Sequence, residues 1–325
     1  MAKPDPSPEA AVAAARARHE TAAVREVLAR RGLGGYAGYA GWLSRIDALA
    51  ARGATLELLG QSVRGEPVLG LVLGDPGARR CSALIAGLHP IEWIGVETCL
   101  TLAERLLDVR DRRVIIAPLC NPDGILAVQE HVLAGRRRFV RHNARRVDLN
   151  RNFPAFWGGS GVQTWLPTRL FAPGRAPASE PEVRALVTRF RREQVDRAVS
   201  LHSFGGVVLY PYGAKWKAPL DAPELRRWAA RVAASVDARR PYRAVQSARW
   251  VPGFTAPGME LDWFHDDRGA LSLLVECSRG NALERPLRLS RLLEPFAWFN
   301  PSDPERVAGA IAAAVEPFLR GAPAD

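Results

Sequence analysis

Cysteine, lysine and long apolar runs are all scarce in this sequence, and each scarcity excludes something. Four cysteines in 325 residues, with no C-x-x-C spacing, rule out a disulfide scaffold and a cysteine-based zinc or redox motif. Cys81, Cys99, Cys120 and Cys277 lie in or beside apolar segments and are expected to be reduced core thiols. Lysine occurs only at Lys3, Lys215 and Lys217, so Arg makes up 42 of the 45 basic residues. That skew has the character of genomic base composition. The net charge of +11 is therefore not taken as a nucleic-acid footprint, and no nucleic-acid partner is expected. No uninterrupted apolar run reaches membrane-spanning length, and the opening Met-Ala-Lys-Pro-Asp-Pro lacks an apolar signal core. The expectation is a cytoplasmic protein without a membrane partner.

What is present is a large apolar fraction, 47% of the chain, enough for one substantial core. Periodicity predicts helices over 9–31 and 38–51, strands over 54–60, 66–73 and 81–86, a helix over 92–107 and a strand over 113–118. A long irregular, Arg- and Trp-bearing stretch then runs to about 178. Helix 179–193, strands 195–201 and 206–210, helix 222–237, strand 241–247, helix 261–266, strand 270–276 and helix 303–320 complete the pattern. Such alternation implies an α/β fold, a single domain with a mixed central sheet flanked by helices on both faces. Residues 1–35 read as an N-terminal helical extension to a main domain over 36–325.

Five polar clusters stand out in order along the chain: His89-Pro-Ile-Glu92, Arg141, Asp148-Leu-Asn-Arg-Asn152, His202 and Glu276. An H-x-x-E tetrad alone is weak, but here the apolar run Cys81 to Leu88 places His89 where a strand ends. Short strand patterns likewise deliver His202 and Glu276. Ligands of α/β sheets gather at such strand ends. Two His and one Glu form a common catalytic zinc set that leaves a position open for water, so His89, Glu92 and His202 are the candidate ligands of one zinc per chain.

The sequence resembles the zinc metallocarboxypeptidases of the carboxypeptidase A and carboxypeptidase E type. The likeness rests on His89-Pro-Ile-Glu92-Trp93, Asn121-Pro-Asp-Gly124, the run from Arg141 through Asp148-Leu-Asn-Arg-Asn-Phe153, Ser200-Leu-His-Ser-Phe204, Leu209-Tyr-Pro-Tyr-Gly213, and Asp262-Trp263 followed by Glu276. It extends from about Leu59 to the last helix and makes 36–325 a carboxypeptidase-like catalytic domain. The resemblance implies hydrolysis of the C-terminal bond of a peptide with a free carboxylate. Glu276 would be the general base and Arg141 the oxyanion donor. Asn150 and Arg151 would bind the terminal carboxylate, and Asp148 would hold the spare ring nitrogen of His89.

Two positions depart from the family pattern. Phe254 stands where relatives carry a tyrosine, with Tyr242 a possible substitute for its phenol, and Ile91 stands where many carry an arginine. The residue before Asp262 is the family's pocket selector, here Leu261, which implies preference for an apolar C-terminal side chain. Glu260 would take that place if the register moved by one residue. These departures keep open a related zinc amidase or deacylase acting on a modified peptide or peptidoglycan fragment. The other histidines read as non-catalytic, with pocket lining kept as an alternative for His265 alone. The oligomeric state is not legible.

Overall fold

The computed structural model describes residues 6–19, 23–159, 169–280 and 292–323. An eight-stranded sheet runs through it in the order β1-β2-β4-β3-β5-β8-β6-β7. Its strands are β1 (Thr55–Gln61), β2 (Pro67–Gly74), β3 (Cys81–Ala86), β4 (Arg113–Ala117), β5 (Val195–His202), β6 (Val207–Tyr210), β7 (Arg243–Gln246) and β8 (Leu271–Glu276). The four central strands β4, β3, β5 and β8 are mutually parallel, while β1 and β2 on one side and β6 against β8 on the other pair antiparallel. This is the expected mixed α/β sheet, and the reason is visible in β3, where all six residues are buried. A strand covered on both faces reads as a continuous apolar run.

Helices α1 (Pro8–His19), α2 (Ala23–Arg30), α3 (Gly38–Ala51), α4 (Trp93–Arg105), α5 (Pro122–Leu133), α6 (Pro181–Arg191), α7 (Ala222–Val236), α8 (Glu260–Asp266), α9 (Pro295–Phe299) and α10 (Pro304–Leu319) complete the described part. None is long and apolar enough to cross a membrane. The helix expected over 9–31 is two helices, with 20–22 between them outside the described residues. The expected extension is packed rather than loose: Val12, Ala15, Val24 and Leu28 belong to the main apolar core with Trp42, Trp93 and Leu100. A second cluster, containing Phe153, Phe190 and Trp263, covers the other face of the sheet. The four cysteines are free and buried.

Helix α5 falls inside the stretch predicted to be irregular. Asn121 caps it by accepting the Gly124 N–H at 3.0 Å, and Pro122 occupies the first turn, where its missing N–H costs nothing. The Asn121 side chain also donates to the Leu88 carbonyl at 3.1 Å, tying the loop after β4 to the one after β3. The turn residues therefore start a helix and brace the segment carrying His89.

Candidate active site

Three parallel strands deliver the central residues. The turn after β3 carries His89 and Glu92, His202 is the last residue of β5, and Glu276, the last of β8, is its register partner. The turn is tight: the Glu92 N–H reaches the His89 carbonyl at 3.2 Å, and Glu92 is the residue before α4. Gly95 in the first turn of α4 is required by proximity, because a Cβ there would meet the Leu201 carbonyl oxygen at 2.9 Å. Trp93, fully buried against Trp42 at 4.9 Å between ring centroids, anchors the helix start.

The ligand-type atoms of His89, Glu92 and His202 lie within 4.8 Å of one another, and all three residues are buried. His89 Nδ1 is 2.9 Å from Glu92 Oε1, His202 Nδ1 is 2.9 Å from Glu92 Oε2, and the two Nδ1 atoms are 3.1 Å apart. The outer nitrogens point to carboxylates: His89 Nε2 is 3.1 Å from Asp148 Oδ1, and His202 Nε2 is 3.1 Å from Glu260 Oε1. Each ring thus lies between carboxylate oxygens; with a cation at the centre the outer nitrogens carry the protons, donated to Asp148 and Glu260, and each Nδ1 turns a lone pair inward. Two imidazole nitrogens and a carboxylate converging in one buried space make a candidate cation site. The donor set fits zinc. Burial alone would raise the Glu92 carboxyl, but His89 and His202 outweigh it and bring it down to about 2.

Asp148 is fully buried and receives three bonds, from His89, from Arg141 Nε at 2.8 Å and from the Asn150 N–H at 3.0 Å. Burial alone would raise its carboxyl; Arg141 and His89 outweigh that and hold it well below the ordinary carboxylate range. Asp148 also caps the short 3-10 turn Leu149–Arg151, which orients Asn150 and Arg151.

A cavity of about 440 Å³ opens on these groups, lined by His89, Glu92, His202, Glu276, Arg141, Asn150 and Arg151. Two of the lining residues carry a buried polar atom without a hydrogen-bond partner, Arg151 Nε and Glu276 Oε2. Arg279, three residues beyond Glu276, donates to the Pro241 carbonyl at 3.0 Å. Burial, reinforced by Glu92 and opposed by His202 and Arg141, pushes the Glu276 carboxyl up to about 8.

The remaining wall is apolar, with Leu209, Ala256, Met259, Leu274, Trp250 and Phe254 in it. Phe254 is among the residues lining the cavity. Tyr242 does not replace the missing phenol: it is on another surface, its hydroxyl bonded to the Cys277 carbonyl at 3.1 Å. Leu261, expected at the pocket floor, does not line the cavity. It is packed in one apolar cluster with Met259 and Leu274, and these two side chains present the surface expected of it. Glu260, the alternative selector, is occupied with His202. His265 is likewise outside the lining, its Nδ1 3.1 Å from the Ala270 carbonyl oxygen.

Sequence reasoning missed Phe171. Its ring lies 5.3 Å from the Arg141 guanidinium, 5.5 Å from that of Arg151, and 5.2 Å from the Phe254 ring. One aromatic side chain thus holds both cations in place. It falls in a stretch without periodicity, and no local signal marked it.

Fold and donor set together define a class: an α/β protein with a zinc-hydrolase ligand set at the carboxyl edge of its parallel strands. Residues 39–292 match the Peptidase M14 zinc carboxypeptidase family, and the chain belongs to that family. Mouse carboxypeptidase A4 is 28% identical over 229 residues, covering 64% of this chain and 54% of that protein. Bovine carboxypeptidase O is 26% identical over 245 residues, covering 69% and 64% respectively. The chain therefore spans between half and two thirds of these relatives. The crystal structure of carboxypeptidase A from Helicoverpa armigera shares the fold, with a TM-score of 0.71 at 20% identity over 96% of this chain and 79% of that one.

Proposed function

We propose that this chain is a carboxypeptidase that hydrolyses the last peptide bond of substrates with a free C-terminal carboxylate, preferring apolar terminal side chains. The observation that carries the reading is that Arg151 and Glu276 line one cavity, each with a buried, unpartnered polar atom, Nε and Oε2. A buried donor left unpaired costs about 1–3 kcal/mol, and a terminal carboxylate is the anion a guanidinium fork matches. Zinc held by His89, Glu92 and His202 would polarise the scissile carbonyl and acidify water.

The chain's own groups divide the remaining work. Asn150 and Arg151 hold the substrate's carboxylate and so set which bond lies beside Glu276. Glu276 accepts a proton from water and returns it to the departing amine. Arg141, kept in place by Asp148 and Phe171, offers its remaining N–H groups to charge developing on the carbonyl oxygen. Among the described residues the only acids lining the cavity are Glu92 and Glu276. Neither is spare to receive a basic side chain, and burying an unpaired ammonium against Met259 and Leu274 is unfavourable.

A peptide series varied only at its last residue and terminal group tests both parts. Amidation should lower kcat/KM by at least about a hundredfold, because buried Arg151 loses its charged partner. Peptides ending in Phe or Leu should be cleaved faster than those ending in Lys or Arg. Equal cleavage of amidated peptides would refute the carboxypeptidase reading and favour an amidase. Faster cleavage of basic ends would refute the apolar pocket.

A further inference from the structure

The two histidines of the metal site are each backed by a carboxylate, and only one of these was legible in the motifs. Glu260 is the first residue of α8 and fully buried. Its Oε1 lies 3.1 Å from His202 Nε2, while its Oε2 has no hydrogen-bond partner. Among the described residues the one ion pair it makes is with His202. An isolated buried carboxylate is costly, and an apolar side chain would serve a purely structural purpose here at lower cost. The ion-pair partner of Glu260 is itself a candidate metal ligand, which ties the Glu260 charge to the point where the two Nδ1 atoms and Glu92 converge.

Asn150 also approaches His202 Nε2, at 3.4 Å, but its orientation is fixed by its Oδ1, which accepts the Glu260 N–H at 3.2 Å. Its Nδ2 is therefore a donor facing the ring. The shorter contact is to the charged acceptor, so Nε2 carries the proton and donates to Glu260. Asp148 does the same for His89. Without such a partner an imidazole can turn either nitrogen, or either tautomer, towards the metal.

We infer that Glu260 is a positioning residue for the metal site: it holds His202 in the tautomer and orientation that present Nδ1 to zinc, and it strengthens that nitrogen as a donor, as Asp148 does for His89. The inference rests on the zinc reading of His89, Glu92 and His202, not on the peptide-cleaving reading. A charged acceptor behind a ligand imidazole increases its basicity, and losing one typically weakens metal affinity about 10–100-fold.

The test is the zinc dissociation constant at fixed pH, measured by competition with a chromophoric chelator, for the parent, Glu260→Gln, Glu260→Leu and Asp148→Asn. Glu260→Gln should weaken zinc binding by about 10–100-fold, Glu260→Leu by at least as much, and Asp148→Asn comparably. The visible bands of the cobalt-substituted Gln variant should also shift, because His202 binds as a weaker donor. Should the Leu variant fail to fold, the nearly isosteric Gln variant still decides. A Gln variant whose zinc constant stays within about twofold of the parent, with unchanged cobalt bands, would overturn the assignment. So would a loss of metal-free thermal stability at parental zinc affinity, the mark of a merely structural role. Zinc affinity is readable whether or not the parent cleaves peptides.

Discussion

Glu276, proposed above as the general base, would serve chemistry at the expense of stability. Its ordinary carboxyl value of 4.5 is pushed up to about 8 by burial and then by Glu92. In the metal-free protein the folded state therefore holds this proton more tightly than the unfolded chain does. Its contribution to stability is fully present below pH 4.5 and is lost as pH rises through about 8. Glu276→Gln cannot ionise, so metal-free Glu276→Gln should lose less stability across that window than the parent, measured by denaturant unfolding. Zinc brings a positive charge that favours the ionised form. With zinc bound, the same variant should keep the metal and lose turnover by about 10²–10⁴-fold; near-parental turnover would remove Glu276 from the mechanism. At this scale the ligands were legible because their spacing and strand context are local. Glu260 was not legible as the partner of His202, because 58 residues separate the two and only the folded sheet brings them together. Leu261 was misplaced for a related reason: which face of a short helix lines a cavity depends on what packs above it, here Met259 and Leu274.

Among the elements, the approach to α8 is the most constrained. Gly258 has φ +77°, and a Cβ there would lie 2.3 Å from the Arg151 carbonyl oxygen. Its own N–H and carbonyl pair with Ala155 and Phe153 at 3.1 Å each, so the segment leading to Glu260 is locked against the one carrying Arg151. Gly258→Ala should lower unfolding free energy by about 1–3 kcal/mol and raise KM, since the strain falls on the residue proposed to bind carboxylate. Parental stability and KM would show that this contact does not position Arg151. Helix α5 was hidden in the sequence because Asn-Pro-Asp-Gly is a strong turn signal. Yet Ile125, Val128 and Val132 follow it at helical spacing and are buried. Gly124 belongs to the helix for a tertiary reason, since a Cβ would meet the Pro90 ring at 2.7 Å. By contrast, β3 and β8 were legible because buried parallel strands announce themselves as apolar runs; in β5 only the half from Ala198 carries that signal.

For the molecule as a whole, the alternating pattern specified a mixed sheet between two helical layers, though not the order of its strands. Only the paired structure shows that β3 and β5 are neighbours and that β8 follows, which puts His89, His202 and Glu276 at one edge. Part of the positive charge is paired or turned towards the cavity. Several residues of the basic clusters meet carboxylates, Arg136 with Glu130 at 2.5 Å and Arg145 with Glu180 at 3.8 Å, while Arg141 and Arg151 face the cavity. The central claim is that this edge is one zinc site. Its most direct test is elemental analysis of the purified protein, stripped with chelator and reloaded with zinc. The account predicts about one zinc per chain in the parent and essentially none in folded His202→Ala. A parent that binds no zinc, or a His202→Ala variant that retains a full equivalent, would contradict it.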